Sequence, residues 1–268
     1  MSPSRTGSGA AMPVAFVGHG SPMNAIEDNA WSRGFAALGT AWPVPRAVLA
    51  ISAHWYVPGT FTSANPAPPT IHDFGGFPPP LYEVQYPAPG DPVLASQVAA
   101  QLAAYQAEPR MDWGLDHGTW SVLRHVWPAA QVPVVQLSID LRQPPAVHLA
   151  IGRALAPLRS DGVLILASGN VTHNLRHAFR AHQAGETATP EWAQRFDAGV
   201  ARALAEHDSG FLTAALETDE GRMSHPTPDH YLPLLYAAGA AFESAAAVRF
   251  PITGFDLASL SMRAAVFA

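Results

Sequence analysis

The sequence has no cysteine and no lysine. Without thiols it can build neither a disulfide framework nor a thiolate metal site. Any transition-metal site therefore has to be made of imidazole and carboxylate. Without lysine, all 15 basic residues are arginine, set against 21 acidic residues for a net charge of −6. That balance offers no basic face for nucleic acid, and no run of like charge forms a tail. No apolar run approaches the ~20 residues that span a bilayer, which speaks against a membrane partner. The opening "MSPSRTGSGAA" lacks the apolar centre of a signal peptide. A flexible segment over 1–12 and a cytoplasmic location are expected.

What is present is apolar residues in quantity. At 268 residues and 48% hydrophobic, the chain can bury one large core. Short, nearly continuous apolar runs rich in β-branched residues recur at Val14–Val17, Ala47–Ser52, Val132–Ile139 and Val163–Ala167. Such runs mark strands covered on both faces. Helical patterns fall between and after them, beginning near Asp91, Pro144, Pro190 and Thr227. Alternating strands and helices predict a single α/β domain with a mainly parallel central sheet flanked by helices. "AAAVRFPIT" and "ASLSMRAAVFA" are expected to add two last strands.

The stretch from Val57 to Pro92 breaks this pattern, holding ten of the 26 prolines and no clean period. A long irregular segment inside a domain is usually a functional loop. Its aromatics, Phe61, Phe74, Phe77, Tyr82 and Tyr86, are suited to covering a pocket. The alternative is a stiff surface excursion.

Histidine is the residue in excess, at twelve. His19 closes the first apolar run between Gly18 and Gly20, which let backbone and ligand approach the ring closely. His54 follows the second run, and His173 comes shortly after the fourth. Ligands of open α/β sheets bind beyond the carboxyl ends of the strands. One such histidine alone is a hydrogen-bonded strand end; three on the same edge read as a ligand site. His173 and His177 in "HNLRH" have zincin spacing, but Asn174 stands where that motif needs glutamate, which leaves His177 outside. In "SHPTPDHYLP" the pair Thr227-Pro228 marks a helix start, placing His230 in its first turn and His225 in the preceding loop. His117 in "DWGLDHGTW" meets a helix starting near Gly118, and either caps it or faces the site. His125, His148, His182 and His207 are expected at the surface or in packing.

Taken in order, "GHGSPMNAIEDN", "SAHWY", "PPTIHDFGGFPPPLYEVQYPAPG", "WGLDHGTWSVL", "VPVVQLSID", "ASGNVTHNLR", "PTPDHYLPLLYAAGA" and "SLSM" resemble one family. It is the DOPA-dioxygenase subgroup of the class III (LigB-like) extradiol ring-cleaving dioxygenases. The resemblance runs from about Val14 to the end of the sequence, and implies that residues 13–268 form the domain. It implies one non-haem metal at the carboxyl edge of the strands, and no organic cofactor. His19, His54 and His230 would be ligands, His173 a fourth ligand or the acid–base group, and His117 a proton donor lining the pocket. Asp229 is expected to point elsewhere on its helix. That leaves an all-imidazole shell where non-haem iron oxygenases usually have two histidines and a carboxylate.

The implied reaction opens a catechol ring beside the diol with O₂. The product class is a muconic semialdehyde, of the seco-DOPA type from DOPA. Fe(II) would serve that reaction, and Zn(II) suits the same ligands and could be carried on isolation. The implied partners are a small catechol and O₂; oligomeric state stays open. Two rival readings use the same residues. One is a zinc hydrolase that activates water; the other is a non-enzymatic metal-binding scaffold, which the aromatic loop speaks against. Arg124, Arg176 and Arg263 could each bind a substrate carboxylate.

Overall fold

Alternation along the first strand decides the layering. In β1 (Val14–Gly18), Val14 and Phe16 face one hydrophobic core while Ala15 and Val17 face another. A strand buried on both sides needs helices over both faces of its sheet. The computed structural model describes residues 11–244 and 247–268. Most of the segment expected to be flexible, residues 1–10, lies outside the described residues. Met12 is buried, and its backbone N–H donates to the Arg159 carbonyl at 3.1 Å.

The remaining strands are β2 (Ala47–Val57), β3 (Phe61–Ser63), β4 (Glu108–Arg110), β5 (Val134–Asp140), β6 (Val163–Gly169) and β7 (Val248–Ile252), followed by β8 (Phe255–Asp256), β9 (Leu260–Ser261) and β10 (Ala264–Phe267). Eight form one sheet in the order β4-β3-β5-β2-β6-β1-β10-β7, and β8 and β9 pair separately. The central run β5-β2-β6-β1 is parallel, and β10 and β7 add on antiparallel beside β1. A single α/β domain results, with its parallel strands ending at one edge.

Helix starts follow local chemistry. Asp91 caps Pro92–Gln101 by accepting from the Leu94 N–H, and Pro144 precedes Pro145–Leu155. The expected helix from Thr227 begins later, at Leu232–Phe242. Pro233 explains the shift, because a ring without an N–H fits the first turn of a helix and not its interior. His230 therefore sits in the turn before that helix. The helix that follows β6 spans Leu175–Ala184, with Asn174 as its cap. His173 lies in the loop ahead of it.

Two histidines belong to the fold. His148 is fully buried; its Nε2 donates to the Gln143 carbonyl and its Nδ1 accepts from the Tyr236 hydroxyl at 2.9 Å. His225 is buried and donates from Nε2 to the Val171 carbonyl at 2.8 Å. Burial pushes each down to about 4. In the unfolded chain the same rings take a proton near pH 6.5. Between these values the unfolded state binds more protons, so stability falls as pH drops from about 6.5 towards 4. Each ring contributes at most about 1.4 kcal/mol per pH unit. Urea unfolding of metal-free protein at pH 7 and pH 5 is expected to show this loss, and His148→Gln to reduce it; a flat profile would refute the account.

Candidate metal centre

His19 leaves β1 with its ring orientation already set. Its Nδ1 lies 2.9 Å from Ser168 Oγ at the end of β6, and that hydroxyl donates to the Gly118 carbonyl. With its own proton committed, Ser168 accepts, so the His19 proton is on Nδ1 and Nε2 carries the lone pair. The flanking glycines have a different main reason from the one expected. A Cβ on Gly18 would stand 2.7 Å from the Ser261 carbonyl oxygen, and one on Gly20 would stand 2.5 Å from Met262 Sδ. The segment between β9 and β10 fills the space that access to a ligand was expected to need. Gly20 does also line the cavity, in the left-handed region at φ 63°.

His54 comes from β2, which runs past the predicted Ser52 to Val57, with a register shift against β5 between Ile51 and Tyr56. Its Nε2 faces His19 Nε2 at 3.1 Å. Its Nδ1 lies 3.1 Å from Oδ2 of Asp73, a residue of the proline-rich loop. Burial opposes charge on His54, but Asp73, Asp116 and Asp229 outweigh it and raise its pKa. His117 opens the helix His117–Val126, whose cap is Asp116 rather than His117 itself. The other Asp73 oxygen accepts from the His117 backbone N–H at 2.9 Å and lies 3.0 Å from its Nδ1.

Asp229 corrects an expectation. Its carboxylate bonds His230 Nδ1 instead of pointing away. The two residues stand in a turn and not on a helix, so neighbouring side chains can meet. His173 lies flat on His230, ring centroids 3.4 Å apart and planes 5° from parallel. Burial first, then neighbouring imidazoles, hold His19 and His230 well below the ordinary histidine range. Burial pushes His173 down to about 3.

Donor atoms of His19, His54 and His117 lie within 4.8 Å of one another, as do those of His173, Asp229 and His230. These are two halves of one cluster. The rings of His19, His54 and His230 form a near-equilateral triangle, with centroids 5.0, 5.2 and 5.0 Å apart. Imidazoles sharing one ion at about 2.1 Å, with about 90–110° between them, hold their centroids about 4.5–5.3 Å apart. The His54–His117 separation of 3.9 Å is too short for that, and stacked rings such as His173 and His230 hold their lone pairs in parallel planes that do not meet at one ion. The donor set fits a metal ion.

Around the cluster lies a cavity of 430 Å³, walled by Pro22, Phe74, Phe77, Leu175, Phe179 and Leu260. The proline-rich loop thus covers the site with Phe74 and Phe77. Tyr82 packs on Phe74, whereas Phe61 lies under Arg110 and Tyr86 is buried with its hydroxyl on the Trp127 carbonyl. His182, expected at the surface or in packing, lines the cavity as well; His177 and His225 do not. None of the three arginines lines it. Arg263 pairs with buried Asp197, Arg124 lines a separate open cleft with Glu27 and Asp28, and Arg176 lines a cleft on the outer side of His173. Asp73 and Ser168 were missed in the sequence. Asp73 had a signal, being the only charged residue between Val57 and Glu83.

Residues 14–267 match the family described as the catalytic LigB subunit of aromatic ring-opening dioxygenase. The chain belongs to the LigB family. It is an extradiol ring-opening dioxygenase of the DOPA 4,5-dioxygenase subgroup, dependent on a non-haem metal, with a catechol and O₂ as its small-molecule partners. A 4,5-DOPA dioxygenase extradiol of Escherichia coli (strain K12) is 45% identical over 255 residues, covering 94% of this chain and 93% of the relative. One from Beta vulgaris is 36% identical over 245 residues, covering 87% and 88%. The crystal structure of an uncharacterized protein from Escherichia coli K12 superposes with a TM-score of 0.83 at 38% identity, covering 96% of this chain and all of that one. LigB membership sets aside the zinc hydrolase and the scaffold.

The tight fit at Gly118 gives a test of the LigB site. A Cβ there would stand 2.5 Å from Ser52 Oγ and 2.9 Å from His54 Cδ2. Gly118→Ala is expected to displace the His54 ring and, with His54 as a candidate ligand, to weaken zinc affinity about 10–100-fold. Chelator competition measures it, and wild-type affinity would refute the assignment.

Proposed function

We propose that this dioxygenase uses Fe(II) to open the ring of DOPA or a DOPA-like catechol, giving a muconic semialdehyde of the seco-DOPA type. His19, His54 and His230 hold the ion. The observation that carries this reading is the shared orientation of the three rings: each turns Nδ1 to a fixed partner, Ser168, Asp73 or Asp229, and so frees Nε2. When bound, the metal supplies positive charge for a catecholate and a route for electrons to O₂. Zn(II) can occupy the same ligands but supplies no such route.

The protein's own groups handle protons and position. His173 is the acid–base residue rather than a fourth ligand, a role supported by its parallel stack on His230. Burial keeps it neutral before substrate enters, so one ring nitrogen is free to accept a proton. His117, with Nδ1 towards Asp73, presents Nε2 to the second catechol oxygen. Phe74 and Phe77 offer apolar faces to a flat ring, with Leu175 and Leu260 also in the cavity lining. No helix among the described residues is long and apolar enough to cross a membrane, and a cytoplasmic location suits the composition.

Anaerobic loading with Fe(II), then L-DOPA and oxygen, is expected to give O₂ uptake and a yellow product, with none from zinc-loaded protein. Equal rates with the two metals, or none with iron, would refute the function. His173→Ala is expected to keep most of its iron and slow single turnover about 10²–10⁴-fold. Iron loss that accounts for the whole rate loss would make His173 a ligand.

A further inference from the structure

Among the described residues Asp73 is the only acidic one lining the cavity, and it comes from the loop rather than from the sheet. Its backbone neighbourhood is tied down. The Ile71 N–H donates to the Leu115 carbonyl at 2.7 Å, and the Leu115 N–H to the Pro69 carbonyl at 2.8 Å. Trp120 Nε1 donates to the Ile71 carbonyl at 2.8 Å, and His72 Nε2 to the Val84 carbonyl at 3.0 Å. The first three bonds join the loop to the segment that carries His117, and the fourth ties the loop to itself. They place one carboxylate between two imidazoles, with Oδ2 3.1 Å from His54 Nδ1 and Oδ1 3.0 Å from His117 Nδ1.

A neutral imidazole has one proton for two nitrogens, and the group facing one nitrogen decides which of them keeps it. A carboxylate only accepts, so a nitrogen facing it keeps the proton. We propose that Asp73 is a positioning residue that fixes the tautomer of both rings. It holds His54 with Nδ1 protonated and Nε2 free for the metal, and His117 in the matching form. The inference rests on the reading of His54 as a ligand. It makes the covering loop part of the metal centre, because seating the loop delivers the group that prepares a ligand. His19 and His230 take the same instruction from elsewhere, from Ser168 on β6 and from adjacent Asp229.

The amide of asparagine separates this role from simple anchoring. Asp73→Asn keeps the shape, and its oxygen can still accept from the His117 backbone N–H. Its NH₂ then faces His54 Nδ1. A donor there moves the ring proton to Nε2, the nitrogen the metal needs. Asp73→Ala removes the carboxylate and imposes no tautomer. An anchoring role would rank alanine as the more harmful change; tautomer control ranks asparagine as the more harmful.

The experiment compares wild type, Asp73→Asn and Asp73→Ala by Zn(II) affinity against a chromophoric chelator. Nitrogen-15 NMR of the metal-free proteins reads the His54 tautomer directly. Asp73→Asn is expected to weaken zinc binding about 10–100-fold, more than Asp73→Ala does, with the His54 proton moved to Nε2. Asp73→Asn with wild-type affinity and an unmoved proton overturns the proposal, as does an alanine variant weaker than the asparagine one. If the proton moves while affinity holds, Asp73 still sets the tautomer and it is His54 that leaves the ligand set. That outcome separates failure of the ligand reading from failure of this one. Should Asp73→Asn not fold, the metal-free tautomer in Asp73→Ala still decides, because a His54 proton held on Nδ1 without the carboxylate overturns the proposal.

Discussion

Five imidazoles share one small buried space, and burial keeps four of them essentially uncharged, while nearby carboxylates raise the fifth, His54. Adjacent cationic rings away from water would repel strongly, and burial penalises even a single charge. The pKa directions at His19, His230, His117 and His173 all follow from that. A neutral ring carries one proton, and the surrounding structure decides where it goes. Ser168 at the end of a strand, Asp229 in a turn and Asp73 on a loop each take a proton on the outer side of a ring. The lone pairs then face inward. A cluster that would be unstable as cations becomes a set of donor atoms that could hold an ion.

The backbone has to be placed as carefully as the protons. Parallel strands end together, which brings β1, β2 and β6 to one edge, and the turn carrying His230 closes over it through the Asn170 N–H to the His230 carbonyl at 2.9 Å. Space there is used up. The sites of a Cβ on Gly18, Gly118 and Gly169 are occupied by neighbouring segments, the last by the His230 carbonyl oxygen at 2.2 Å. Such contacts leave little freedom for the rings to drift out of register.

The layered fold could be read from sequence because it depends on local runs. Val14–Val17 and Val163–Ala167 are apolar without interruption, and a strand covered on both faces has to be. Sheet-edge placement of His19, His54 and His173 followed from the same runs. The orientation of Asp229 could not be read, because it depends on Pro233 delaying a helix by a turn. Ser168 gave no sign, since its role comes from Gly118, fifty residues away in sequence. Asp73 did give one, as a lone charge in an apolar loop, but the sequence does not say which two rings it would meet. The arginines were the weakest guide. Charge alone could not tell Arg263, neutralised by Asp197, from a residue free to bind substrate.

The proposed ligands come from the beginning, the first quarter and the far end of the described chain. An ion that joins them acts as a cross-link closing loops through most of the polypeptide, and such closure removes entropy from the unfolded state. An ion bound only by the folded form also stabilises it by mass action, in proportion to the logarithm of its free concentration over Kd. Thermal stability is therefore not a fixed property of this polypeptide. A melting temperature in metal-free buffer and one in excess metal describe two differently constrained chains, and comparisons between variants hold only at equal metal saturation.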